Sequence, residues 1–376
     1  MAGIYIHVSF CKTRCIYCDF YTRTDMSPRN SYVEALCREI ELRKDYTGGE
    51  KIETIYFGGG TPSQLSYNDF TRIFDTIGRH FEVSEDAEIT MEANPDDLRP
   101  QYFDSIRSLP FNRLSIGIQS FNDNELRFLK RRHTAIDAKE AVNRSREAGF
   151  ENISIDLMYG LPGQTMNIWQ SNLYEAIALD VQHISSYHLI YEQGTRLYRL
   201  FKHGNVKPVD EDLSADMFAA MIERLSKVGF QHYEISNFAR NGLVSRHNSS
   251  YWLGAKYLGL GPAAHSYDGQ NRAQNIASIS KYIESIGQDI PPTEIEYLDM
   301  NTRYNDYILT GMRTMWGINL VKLEELFGKP MKEYAMRNVQ KYIGQGFVTN
   351  KDNTLKLTHK GIFISDGIMS DMMRID

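Results

Sequence analysis

The sequence predicts an α/β protein: a partial (β/α)6 barrel followed by a small, mainly helical, winged-helix-like domain. Three observations predict it. Six short apolar runs alternate with amphipathic segments of helical period in the first half of the chain, a pattern that calls for a parallel sheet with right-handed crossovers. Polar and glycine-rich clusters directly follow those runs, at the strand ends where such barrels gather their chemistry. Beyond about residue 291 the pattern changes to helices followed by a short hairpin.

The six runs are residues 4–8, 52–57, 88–92, 113–118, 153–157 and 183–189, each short and rich in β-branched or aromatic side chains. Helical period marks residues 67–81, 123–130, 135–148 and 165–178, and a further helix opens at Ser27 and Pro28. Residues 302–315, 322–325 and 331–345 read as helices, 347–350 and 355–358 as a hairpin turning at Asp352 and Asn353, and a last helix starts at Lys360. The expected domains are 1–290, carrying an extension at about 230–290, and 291–376. The second has only scattered basic residues, which fits a cap or docking domain better than a DNA reader.

Composition narrows the function classes. Hydrophobic content of 42% and charged content of 24% are those of a soluble globular protein. A net charge of −6 offers no broad basic field, so nucleic acid is not an expected partner. No apolar run approaches the length of a bilayer span, so an integral membrane protein is not expected. The opening residues, Met1 to Ile4, leave no room for a signal peptide before the first strand. Four cysteines, three of them clustered, do not make a disulfide framework, and a reducing compartment, most simply the cytoplasm, is expected.

The clustered cysteines are Cys11, Cys15 and Cys18, spaced C-x3-C-x2-C after the first strand. A structural zinc site wants a fourth ligand. Three thiolates on a four-iron cluster leave one iron open for chemistry. Zinc binding, or thiols without a shared role, are the alternatives. Cys37 falls beside Val33, Leu36 and Ile40 on a helical face and reads as a core thiol.

After the second strand comes Gly58-Gly59-Gly60-Thr61-Pro62, whose amides are able to approach a ligand or simply make a tight turn. Glu92, Gln119 and Asp156 stand at the ends of strands three, four and five. Singly each reads as a buried polar group satisfied by backbone; together they make a polar ring at one barrel mouth. The basic run from Arg127 to Arg132 reads as a solvated helix end from which one cation turns inward to a carboxylate. In the extension, His247 stands near Tyr251 and Trp252. An exposed histidine there suits haem iron flanked by aromatic rings, and a packed aromatic corner is the alternative.

The cysteine spacing resembles the signature of the radical S-adenosylmethionine (SAM) superfamily. The resemblance widens along the chain through Tyr5-Ile6-His7, Gly58 to Pro62, Glu92-Ala93-Asn94-Pro95, Gly117 to Phe121, Asp156 to Gly163, Tyr233 to Asn237 and His247 to Trp252. Together these resemble the group holding oxygen-independent coproporphyrinogen III oxidase and its haem-chaperone paralogues. The resemblance implies a [4Fe-4S] cluster on Cys11, Cys15 and Cys18, with SAM chelated by the open iron and cleaved reductively to a 5′-deoxyadenosyl radical. It implies SAM contacts at Tyr5, Tyr17, Gly59, Gly60, Thr61, Glu92, Gln119, Arg131 and Asp156. It implies haem contacts at His247, Tyr251 and Trp252, in the H-N-x-x-Y-W motif that marks the chaperones.

Lys130 departs from the group's usual glycine, and Ser9 from its usual proline. Phe20 stands where the oxidase has a further cysteine, and the oxidase's long N-terminal arm has no counterpart ahead of Cys11. The expected function is therefore haem binding and transfer to acceptor haemoproteins, with a reductase or other electron donor for the cluster. No residue is assigned to catalysis. The alternative is oxidative decarboxylation of coproporphyrinogen III. Radical modification of RNA or protein lacks a basic surface or a substrate module.

Overall fold

The structure, a computed structural model, describes residues 2–375. Six strands lie side by side and parallel in sequence order: β1 (Ala2–Val8), β2 (Ile52–Gly59), β3 (Val83–Ala93), β4 (Arg113–Gln119), β5 (Asn152–Tyr159) and β6 (His183–His188). Each overlaps an expected run. The sheet continues past them at both edges. A hairpin of β7 (Gln231–Glu234) and β8 (Asn237–Ala239) adds antiparallel to β6. On the other edge β9 (Lys256–Leu260) runs parallel to β1, followed by β10 (His265–Tyr267), β11 (Arg272–Asn275) and β12 (Thr293–Glu296). Twelve strands thus share one sheet among the described residues. The six outer strands are three to five residues long, too short for alternation to announce them.

Strand alternation explains why the middle of the sheet encloses a polar space. Successive side chains point to opposite faces. Ile4, Ile6, Ile55, Phe57, Met91, Leu114, Ile116, Ile153 and Ile155 are buried in the main hydrophobic core. The residues between them meet across strands on the other face. Tyr56 Oη donates to Glu92 at 2.7 Å, and Ser115 Oγ to Asp156 at 3.3 Å.

The helices Tyr67–His80, Asp123–Leu129, Ala135–Glu147 and Met166–Ala178 match the expected spans, and Arg29–Leu42 follows Pro28 at its N-cap. Ser66 and Asp69 close a capping box at the start of Tyr67–His80. The helices Pro100–Ile106, Arg196–Lys202 and Glu211–Lys227 had no counterpart in the sequence reading.

Helices Met300–Met312, Leu320–Phe327 and Lys329–Gly344 and a three-stranded sheet, β13 (Ile318–Asn319), β14 (Val348–Lys351) and β15 (Thr354–Leu357), form a winged-helix-like arrangement. They enclose a separate core around Tyr304, Ile308, Leu323, Ala335 and Val339. Asp352 and Asn353 turn the hairpin with φ of 51° and 56°, the paired left-handed conformation of a tight two-residue hairpin loop. The last expected helix is two pieces, His359–Ile362 and Ser365–Met372. Met315 N–H donates to Tyr233 O at 2.9 Å, tying this part of the chain to β7.

Candidate functional site

The cysteine loop is docked through its own residues. Ile16, between the second and third cysteines, is buried with Leu129, Met158, Leu161, Leu189 and Leu197. Its N–H and C=O meet Leu129 O and Leu197 N. At the loop's base Cys11 N–H donates to Arg23 O at 2.9 Å, and Arg23 N–H to Ser9 O at 2.8 Å. Ser9, at the usual proline's place, is fully buried with no partner for its hydroxyl. Cys11, Cys15 and Cys18 are half-buried and line one cavity of about 510 Å³. Cys37 packs against the main core, its Sγ 3.7 Å from Arg72 O.

Burial pushes the Cys11 thiol up and the Cys18 thiol up to about 11, and the neighbouring thiols add to both. Gathered thiols that resist ionisation want a cationic partner, and an iron–sulfur cluster supplies one. Among the described residues no three His, Cys, Asp or Glu side chains gather tightly enough to hold a lone metal ion.

The glycine turn braces this loop. Gly60 N–H donates to Val8 O and Thr61 N–H to Phe10 O, both at 2.7 Å. These two amides are therefore engaged with the chain, as the tight-turn alternative has it. Thr61 Oγ1 lies 3.4 Å from Cys11 Sγ and accepts from Asn94 Nδ2 at 3.1 Å. Gly59 has φ of 95°, and a Cβ there would fall 2.5 Å from the His7 ring, so no other residue fits this turn without strain.

The polar ring lines the same cavity as the cysteines. Glu92, Gln119 and Asp156 line the cavity with Tyr17, Gly59, Gly60, Thr61 and Arg131. Burial raises the Glu92 carboxyl to about 7 and that of Asp156 to about 6. Gln119 holds a left-handed φ of 71° at the end of β4, backbone strain of a kind that collects at ligand sites. Arg131 is the cation of the basic run that turns inward. Its Nη1 lies 3.3 Å from Cys15 Sγ, and its Nη2 donates to Asn94 Oδ1 and Gly117 O, both at 2.5 Å. Arg127 and Arg132 instead meet Asn124 and Asp96.

Two expectations need correction. Tyr5 does not line the cavity; it stacks behind the wall on Tyr56, with ring centroids 6.2 Å apart. His247 is not an exposed imidazole. It is fully buried, Nδ1 bonded to Thr54 Oγ1 at 2.8 Å and Nε2 to Tyr251 Oη at 2.7 Å. Burial lowers its pKa to about 3 and keeps the ring neutral. Neither nitrogen has a lone pair free for iron in this arrangement, because each ring nitrogen already serves one hydrogen bond. Tyr251 packs edge-on against Tyr257 with centroids 4.5 Å apart, and Trp252 is half-buried. The aromatic-corner alternative describes this packing.

Sequence reasoning missed Tyr56, Asn94, Arg113, Tyr187 and Asn248, all cavity-lining. Strand period was the available signal. Asn94 follows Glu92 by two residues, and Arg113 and Ser115 share the parity of Gly117 and Gln119.

Family models match twice: the Radical SAM superfamily over residues 5–171, and the HemN C-terminal domain over residues 298–364. The chain is 33% identical to the heme chaperone HemW of Bacillus subtilis, covering 98% of each chain. It is 30% identical to the mitochondrial radical S-adenosyl methionine domain-containing protein 1 of Danio rerio, covering 99% of this chain and 87% of that one. In fold it is similar to coproporphyrinogen III oxidase (HemN) from Escherichia coli, a radical SAM enzyme. That likeness has a TM-score of 0.85 at 22% identity and covers 99% of this chain and 90% of that one.

Proposed function

The chain belongs to the radical SAM superfamily and, within it, to the family of the heme chaperone HemW, and from that premise we propose that it binds haem and passes it to acceptor haemoproteins. The supporting observation is the cavity, where a docked three-cysteine loop faces a ring of buried polar residues, in a chain alike over its full length to those chaperones. Cys11, Cys15 and Cys18 would hold a [4Fe-4S] cluster, and Glu92, Gln119, Asp156 and Arg131 would hold SAM against it. When bound, the cluster offers SAM an open iron and an electron for its reductive cleavage. The protein's part is to fix the loop through Ile16, to brace it from the glycine turn, and to set charged groups around the ligand.

We place haem at the outer rim of the same cavity. Phe20, Tyr187 and Ile190 line it with 57%, 42% and 62% of their surfaces exposed. Such apolar exposure beside a cavity suits a large flat apolar ligand. His188 lies exposed beside them, its Nε2 2.9 Å from Ser214 Oγ, and imidazole is a common haem ligand. A reductase or comparable donor, action in the cytoplasm, the absence of nucleic acid from the function and a domain boundary near residue 291 belong to the same reading. No helix among the described residues is long and apolar enough to cross a membrane.

The test is an anaerobic haem titration of reconstituted protein, run beside incubation with SAM and coproporphyrinogen III. The expected result is a saturable Soret change, altered in His188→Ala, and no protoporphyrinogen IX. Decarboxylation without haem binding would install the oxidase reading instead.

A further inference from the structure

The H-N-x-x-Y-W segment occupies a place that its expected role does not explain. The helix Arg246–Trp252 packs against β2. Glu88 accepts the backbone N–H groups of Arg246 and His247, each at 3.0 Å, which fixes the first turn of that helix. His247 then projects between β1 and β2. At Gly3 a Cβ would lie 2.7 Å from Thr54 Oγ1 and 3.4 Å from the His247 ring, so β1 leaves room where the imidazole passes. The imidazole stacks on Tyr56 with centroids 5.0 Å apart and planes 21° apart. Tyr56 Oη donates to Glu92 Oε1 at 2.7 Å, and Glu92 lines the cavity, as does Asn248, the next residue of the segment.

We propose that this segment is the floor of the SAM cavity: Asn248 forms part of its wall, and His247 is a positioning residue that holds Glu92 in place through Tyr56. The inference rests on the reading of that cavity as the SAM site, and it gives the histidine a task other than haem ligation. The chain of contact is direct. Thr54 and Tyr251 fix the imidazole, the imidazole fixes the plane of Tyr56, and the phenol fixes the carboxylate. A carboxylate so held accepts from the SAM ammonium without first paying to be oriented.

The test uses reconstituted holoprotein and measures the SAM dissociation constant by equilibrium dialysis from about pH 5.5 to pH 8.5. Tyr5, Tyr56, Arg113, Asp156, Tyr187 and Tyr251 are the titratable and charged groups around Glu92. Asp156 is raised to about 6 and titrates in the same window, so Glu92→Gln identifies which inflection belongs to Glu92. The wild type should bind SAM more tightly as Glu92 ionises. Tyr56→Phe keeps the stacked ring and loses the donor; it should weaken SAM binding about five- to tenfold at neutral pH. It should also move the Glu92 inflection upward, because the lost hydrogen bond favoured the charged form. His247→Ala should shift both quantities the same way, and haem affinity should hold in both variants. In a Glu92→Gln background Tyr56→Phe should add little. Unchanged SAM affinity and pH profile in Tyr56→Phe would overturn the inference alone, and so would loss of haem binding in His247→Ala with SAM binding intact. If His247→Ala fails to fold, Tyr56→Phe decides. Wild-type protein that binds haem but no SAM would overturn both the inference and the reading beneath it.

Discussion

Arg131 joins the two halves of the site. Its guanidinium spans from Cys15 to Asn94 and Gly117, so it touches the cluster loop and two strand ends at once. The residue pattern showed a run of cations and a reason for one to turn inward, and the resemblance singled out Arg131. Which one turns depends on a three-dimensional detail, the left-handed turn at Lys130 just before it. Glu92, Gln119 and Asp156 were legible because each is a charged or amide group at or near the end of an apolar run, whereas Tyr56 is an aromatic that suits a strand and Arg113 opens its run, so both read as strand filler. His247 was misplaced because a motif of histidine and aromatics reads alike whether it faces solvent or packs inside. At this scale the cysteines make a discriminating prediction. Cys11→Ala, Cys15→Ala and Cys18→Ala should each lose cluster iron on reconstitution, while Cys37→Ala, whose thiol packs against the core, should keep it. Iron analysis and the cluster's electron paramagnetic resonance signal check this, and iron lost only in the Cys37 variant would reverse the assignment.

Lys130 also decides how the helix Asp123–Leu129 ends. It takes φ of 61°, and its N–H reaches back to Arg127 O and Leu126 O. A left-handed C-terminal residue of this kind is most often glycine, which accounts physically for the glycine usual at this position in the group. Lys130→Gly should therefore stabilise the protein by about 0.5–1 kcal/mol, since a side chain in this conformation is strained. Denaturant unfolding checks it, and a loss of stability would show that the lysine side chain matters more than its backbone. Conversely, Ser66→Ala removes the hydroxyl that caps Tyr67–His80 and should cost about 1 kcal/mol. The long elements were legible from their periods, and the parallel order of β1 to β6 followed. The outer strands were not, because three to five residues, with charges such as Glu294 and Glu296 among them, carry no periodic signal, and their pairing is imposed by the sheet edge they join.

At the scale of the whole molecule, the buried carboxylates couple folding to pH. Glu92 and Glu234 are raised to about 7 and Asp156 to about 6, in each case chiefly by desolvation. A carboxyl raised in the folded state holds its proton longer there than in the unfolded chain, so folding takes up protons between the two pKa values. The contribution is fully present below the unfolded carboxylate range and is lost as pH rises through 6 to 7. Ligand-free protein should then melt at a lower temperature at pH 8 than at pH 5, and Glu92→Gln should flatten part of that slope. Calorimetry across this window checks it, and a melting temperature that rises toward pH 8 would contradict the burial argument. Cationic ligands in the cavity should reverse the trend by favouring the ionised carboxylates.

The most direct measurement of the proposed function is haem transfer. Haem-loaded, cluster-bearing protein would be mixed anaerobically with an apo-haemoprotein, and the acceptor's Soret band followed with time. The expected result is acceptor reconstitution at the donor's expense, faster than a haem–albumin control delivers it and dependent on the exposed rim of Phe20, Tyr187 and Ile190. Haem that never leaves the donor, or reaches the acceptor no faster than from albumin, would contradict a chaperone.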